Sequence, residues 1–175
     1  MKAKMTFVFL LIFSIVALGC KQKEEKVEIV EVEEVKVDLI NDEFPEAEKE
    51  IMETWEAIVQ SLKDGDLDTL ISFHAYSSKF TEFKDSALRN GSEENEQYER
   101  NTFGAVTEIV KFDANDMHIA VYGDVANVTM HTDFHLKFGE KLVVVNDQMT
   151  ILFVKTDKGW KIVSEHHSPL KMEES

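Results

Sequence analysis

The stretch TDKGWKIVSEHHS, Thr156 to Ser168, reads as a tight turn followed by a strand. Asp157, Lys158 and Gly159 are turn formers. From Trp160 onward the period is two. Trp160, Ile162, Ser164, His166 and Ser168 fall on one face, and Lys161, Val163, Glu165 and His167 on the other. The run before the turn, KLVVVNDQMTILFVK (residues 141–155), is also strand-like, so the two predict an antiparallel hairpin.

Further upstream, TEIVKF, MHIAVY and VANVTMHTDFHLKF continue this pattern, with turn signals at Gly123-Asp124 and Gly139-Glu140. Before residue 106 the period changes to that of helices. Ile51, Trp55, Ile58, Val59 and Leu62 recur at helical spacing behind Pro45, and KDGD ends that run. Asp66 is placed to cap a second, shorter helix carrying Leu67, Leu70, Ile71 and Phe73. KFTEF reads as a short strand, and Ser92 with Glu93, Glu94 and Glu96 as the capped, acid-rich start of a third helix reaching about Phe103. Helices first and strands after predict an α+β fold, a curved antiparallel sheet wrapped on N-terminal helices. The domain is expected over residues 44–170, with 171–175 as a tail.

This order, with LKDGDLDTL, VYGDVANVTM and TDKGWKIVSEHHS at their spacing, resembles the SnoaL-like branch of the nuclear transport factor 2-like superfamily over roughly residues 46–170. The resemblance implies a cone-shaped fold with a pocket at its mouth, usually in a homodimer. It does not imply one activity, because ketosteroid isomerase, polyketide cyclases and a kinase association domain share the fold. Isomerase chemistry in that family uses a carboxylate base with a tyrosine and a protonated aspartic acid. Counting from the shared motifs puts the base at Glu82 but the other two groups at Ile58 and Ile151, which can donate no hydrogen bond. Steroid-isomerase chemistry is therefore not expected.

By the same resemblance Trp160, Ile162, Ser164, His166 and Ser168 line the pocket. Glu82 and His166 are then the candidate catalytic pair, and Ser164 and Ser168 the candidate ligand-binding residues. Against catalysis stands a plainer reading, in which His166 is a satisfied polar residue at the rim. In HTDFH, His131, Asp133 and His135 share one strand face about 6.6 Å apart. They are weak candidates for a divalent metal, set against a solvated or dimer-facing polar face. Ser168 precedes Pro169 and sits in no nucleophile elbow, and the seven glycines form no phosphate-cradling loop, so no cofactor is expected.

The N-terminal end addresses location. Lys2 and Lys4 precede an apolar run from Met5 to Leu18 that is too short to span a bilayer. It stops at ALGC, which resembles the bacterial lipobox, with Cys20 as the lipidated residue and residues 1–19 as the signal peptide. Residues 20–43 are rich in Glu, Lys and Val and read either as a charged tether or, from VEIVEVEEVKVDL, as a strand. The expected location is the bacterial cell envelope, periplasmic or surface-facing, with the acylated cysteine in the lipid bilayer. A net charge of −15, near −17 once Lys2 and Lys4 are removed, repels phosphate backbones and excludes nucleic acid as a partner. What these readings favour is an anchored binder of a small apolar or amphipathic ligand. An acid–base isomerase, cyclase or hydrolase using Glu82 and His166, or a dimeric interaction module without a ligand, stand as alternatives. Cys20→Ser, or globomycin treatment, is expected to leave an unprocessed precursor on an immunoblot; normal maturation of Cys20→Ser would contradict the lipoprotein reading.

Overall fold

The computed structural model describes residues 36–84 and 91–170 and, as backbone, 87–89. Cys20 with its apolar run, the segment up to residue 35 and the 171–175 tail lie outside the described residues. Of the predicted tether, residues 36–43 are described. They are exposed, and the Asp38 carboxylate closes a turn by accepting from the Ile40 and Asn41 backbone N–H groups.

Helix α1 (Pro45–Asp64) begins at the proline, where a missing N–H costs nothing, with Glu46 and Glu48 at its positive end and Lys63 in its last turn. Gly65, at φ 68°, ends it in the left-handed conformation that a side chain would strain. Asp66 then caps α2 (Leu67–Ser72), accepting from the Thr69 N–H at 3.0 Å. The cap expected of Ser92 is not made. Ser92 is the first residue of α3 (Ser92–Gly104), Gly91 holds the cap position, and the Ser92 hydroxyl donates to the Ser77 carbonyl instead.

Among the described residues seven strands form one sheet: β1 (Thr81–Lys84), β2 (Ala87–Arg89), β3 (Glu108–Tyr122), β4 (Val125–Phe138), β5 (Lys141–Val145), β6 (Asp147–Thr156) and β7 (Gly159–Pro169). Their order is β2-β1-β7-β6-β4-β3, with β5 beside β4. TEIVKF and MHIAVY, read separately from sequence, are one long strand interrupted by an irregularity between Asn115 and His118, where Asp116 adopts φ 50°. Conversely, residues 141–155 divide at Asn146 into β5 and β6. The near half of β4 pairs β6 and its far half pairs β5, so the sheet forks there. The Asp147 N–H donating to Thr132 Oγ1 at 2.9 Å holds the fork. One pairing departs from the predicted antiparallel meander: β1 lies parallel to β7, Glu82 opposite Glu165 and Phe83 opposite His166.

The inner face of this α+β fold, a curved sheet closed on its helices, is built from Ala126, Val128, Met130, Met149, Ile151, Phe153, Trp160 and Ile162, packed with Ile51, Ile58 and Leu62 of α1. Glu50 ties α1 to the far hairpin, accepting from Trp160 Nε1 at 2.8 Å and Lys155 Nζ at 2.6 Å. Phe153, 1 % exposed, lies in this core. Phe153→Ala is expected to lower stability by about 3–5 kcal/mol in urea unfolding, with an unchanged denaturant slope; a loss below about 1 kcal/mol would contradict this packing.

Candidate functional site

The last strand decides which residues reach the interior. Along β6 and β7 Ile151 pairs Glu165 and Leu152 pairs Ser164, but Phe153 pairs Ile162, so Val163 is an extra residue. A bulge of this kind reverses the alternation beyond it. Trp160 and Ile162 point inward as predicted, but past Val163 the inward residues are Glu165 and His167. Ser164, His166 and Ser168 fall on the outer face. There Ser164 Oγ lies 3.0 Å from Thr81 Oγ1, and His166 meets the exposed Phe83 ring edge-on at 6.2 Å. The expectation that Ser164, His166 and Ser168 line the pocket is therefore corrected.

Glu82 does point inward and is 1 % exposed, yet it is not in the cavity wall and lies on the opposite face from His166. Glu82 and His166 do not converge. Glu82 Oε2 accepts from Asn95 Nδ2 at 3.0 Å, and Asn95 Oδ1 accepts from Tyr76 OH at 2.6 Å. This chain fixes α3 against β1. One turn on from Asn95, the same helix face presents Tyr98 and Glu99, then Thr102 and Phe103, to a cavity of about 730 Å³.

One side of that cavity is apolar. Trp55 and Ile58 of α1 face Phe112 and Phe134, whose rings stack at 3.7 Å, and Trp55 lies 6.4 Å from Phe112. Ile58 and Ile151, standing where the isomerase would hold its two oxyanion donors, both line it. The other side is titratable. His74, just past α2, is held by backbone bonds between its neighbours and Ile162, stacks on Tyr76 at 5.1 Å, and pairs with Glu165 at 3.6 Å. His167 Nδ1 lies 3.7 Å from Asp147 Oδ2, and Lys84 stands 5.4 Å from the centre of the Tyr98 ring.

Burial and the negative charge of Glu165 push the Glu99 carboxyl up to about 7. Burial raises Glu165 as well, but the neighbouring His74 ring, with His167 and Lys84, outweighs it and holds Glu165 below the ordinary carboxylate value. Burial opposes charge on His74, but Glu165 and then Glu99 outweigh it, so its imidazole is raised. Lys84 is likewise raised against burial, by Tyr98, Glu99, Asp147 and Glu82. The protein thus keeps Glu165 ionised and lets Glu99 hold a proton.

His131, Asp133 and His135 share the outer face of β4, as their alternation predicted. Asp133 pairs with Lys111 and with His135 Nε2 at 2.8 Å, and His131 Nδ1 pairs with Asp116 at 3.2 Å. Among the described residues no three His, Cys, Asp or Glu side chains are arranged to hold a metal ion. The residues that sequence reasoning passed over are His74, Glu99, Glu165 and His167. Glu99 carried a usable signal in its shared helical face with Tyr98 and Phe103; Glu165 carried none, because nothing in WKIVSEHH marks Val163 as extra.

The SnoaL-like domain family profile matches residues 51–172. The chain belongs to this family. Its fold is similar to that of a putative dehydratase of the nuclear transport factor 2-like family from Streptomyces avermitilis, at TM-score 0.65 and 23 % identity over 74 % of this chain and 100 % of that one. It is also similar to a nuclear transport factor 2-like protein of unknown function from Pseudomonas putida, at 0.61 and 22 % over 75 % and 93 %. A putative calcium/calmodulin-dependent kinase II association domain from Exiguobacterium sibiricum aligns at 0.61 and 15 % over 75 % and 99 %. No curated protein matches the chain. At these identities the likeness is one of fold.

A carboxyl raised in the folded state binds its proton more tightly there than in the unfolded chain. Its contribution favours folding at low pH and is lost as pH rises from about 4.5 to about 7. Glu99→Gln is therefore expected to raise the melting temperature by a few degrees at pH 8 and to leave it unchanged near pH 4.5. An equal shift at both values would contradict a raised Glu99.

Proposed function

We propose that this domain binds a small amphipathic molecule, its apolar body against the Trp55–Phe112–Phe134 side and its polar group among His74, Glu99, Glu165 and His167. The observation that carries the reading is the cavity itself, about 730 Å³, aromatic on one side and titratable on the other. That volume falls within the range of ordinary ligand pockets. A domain serving only as an assembly surface has no use for a hollow with buried, mutually charged groups, which cost stability unless something is gained.

The same reading includes an anchor through acylated Cys20 in a bacterial envelope membrane and a homodimer formed through the sheet. In support of the dimer, the outer face exposes Val110 and Val144 beside the Lys111–Asp133–His135 ladder, a mixed surface suited to a partner sheet.

An acid–base enzyme is the second reading, and it moves from Glu82 and His166 to Glu99. A cavity-lining carboxyl held at about 7 is half-protonated at neutral pH, the state in which one group both takes and returns a proton. The likeness to a putative dehydratase is compatible with it.

Native mass spectrometry of the protein purified from the producing cell is expected to show a retained small molecule. Met149→Trp, which puts an indole at a cavity-lining position, is expected to abolish retention while unfolding stays cooperative. Retention undiminished in Met149→Trp would place the ligand elsewhere.

A further inference from the structure

The polar end of the cavity carries more acid than base. Lys84 lines it from β1, Tyr98 and Glu99 from α3, Asp147 from the start of β6, Glu165 and His167 from β7, and His74 from the connection after α2, while Glu82 and Tyr76 stand behind the wall, close enough to act through their charge and dipole. That is four carboxyls against one lysine and two histidines. Lys141 of β5 also lines the cavity, but it is exposed, where water and salt screen it.

The titratable groups report the resulting field. Burial alone would lower a histidine and a lysine, yet His74 and Lys84 are both raised. Burial and the surrounding carboxylates push the Tyr76 hydroxyl up as well. These three shifts have the sign that a negative potential imposes, while Glu165 is held down by the His74 ring it pairs with. Glu99 keeps a proton because the cavity supplies no sufficient countercharge, and an entering cation can take that proton's place. The aromatic surface is compatible with one, since the Tyr98 ring already has the Lys84 ammonium 5.4 Å from its centre.

We propose that the ligand of this pocket is an organic cation, an apolar or aromatic body ending in a primary or secondary ammonium group that pairs with Glu99. This rests on the small-molecule reading given above and names its chemical class. The ammonium donates to the Glu99 carboxylate, the Glu99 proton leaves to solvent, and the body lies along the Trp55–Phe112 side. Ionised Glu165 stays paired with His74 and supplies the field. A neutral ligand of the same shape gains only the apolar contact, and a carboxylate is repelled.

The test is isothermal titration calorimetry of the full chain with three probes of one shape, 4-phenylbutylamine, 4-phenylbutanol and 4-phenylbutyrate. The amine is expected to bind at least tenfold tighter than the alcohol, and the carboxylate most weakly. Because binding displaces a proton, amine affinity should climb toward about tenfold per pH unit below the Glu99 titration and level off above it, with the alcohol flat. Glu99→Gln should remove the amine's advantage over the alcohol and its pH slope. Equal or tighter binding of the carboxylate, or an amine preference that survives Glu99→Gln, would overturn the cation assignment and leave the pocket reading standing. Binding of none of the three would contradict the pocket reading, and the cation with it.

Discussion

Between Ile162 and Ser164 the last strand carries one residue more than its partner, and the backbone absorbs it by bulging at Val163. Before the bulge, β7 gives the core Trp160 and Ile162. After it, the same strand gives the cavity Glu165 and His167. Were the alternation unbroken, Ser164, His166 and Ser168 would face inward, Glu165 would lose His74, and Glu99 would lose the charge that adds to burial in raising it. The parallel pairing of β1 with β7 depends on the same shift, since it sets Glu82 and Glu165 together inside and Phe83 and His166 together outside. One inserted residue thus decides which chemistry the pocket contains.

The interior this creates is costly for a domain of this size. A buried ion pair seldom contributes net stability, because desolvation offsets the attraction. Here His74 and Glu165 form such a pair, and Asn95, 0 % exposed, spends its amide satisfying Glu82 and Tyr76. These groups stand beside the hollow and not in the well-packed region around Phe153. Polar groups concentrated at one end of a cavity, with an aromatic surface at the other, are what recognition of an amphipathic molecule requires. The rigid chain Tyr76–Asn95–Glu82 fixes α3, and with it the direction in which Glu99 points.

Much of the fold was legible because its signals are local and periodic. The spacing of Ile51, Ile58 and Leu62 on α1, the Asp66 cap and the turns at Gly123, Gly139 and Gly159 are fixed by residues within a few positions of one another. The division at Asn146 and the joining of β3 through Asp116 were not, because both depend on which neighbour the strand finds across the sheet. The site was less legible for a related reason. Strand alternation assigns faces correctly only until the register slips, and WKIVSEHH contains no glycine or proline to show where it does. Glu82 was read as a pocket acid paired with His166, but its partner is Asn95, thirteen residues on and unremarkable in a polar helix. Glu99 lies inside EENEQYER, a stretch so acidic that it reads as a solvated face, and only the Tyr98 and Phe103 positions beside it mark an inward side.

The facing of β7 is the claim on which the pocket stands, and thiol accessibility tests it directly. Single cysteines are placed at 165 and 166 in turn, with Cys20 replaced by serine, and reacted with a bulky maleimide under native conditions. The account predicts rapid labelling at 166 and protection at 165, with both labelled equally fast once the protein is unfolded. Rapid labelling at 165 with protection at 166 would mean an unbroken alternation, and would remove Glu165 and His167 from the pocket.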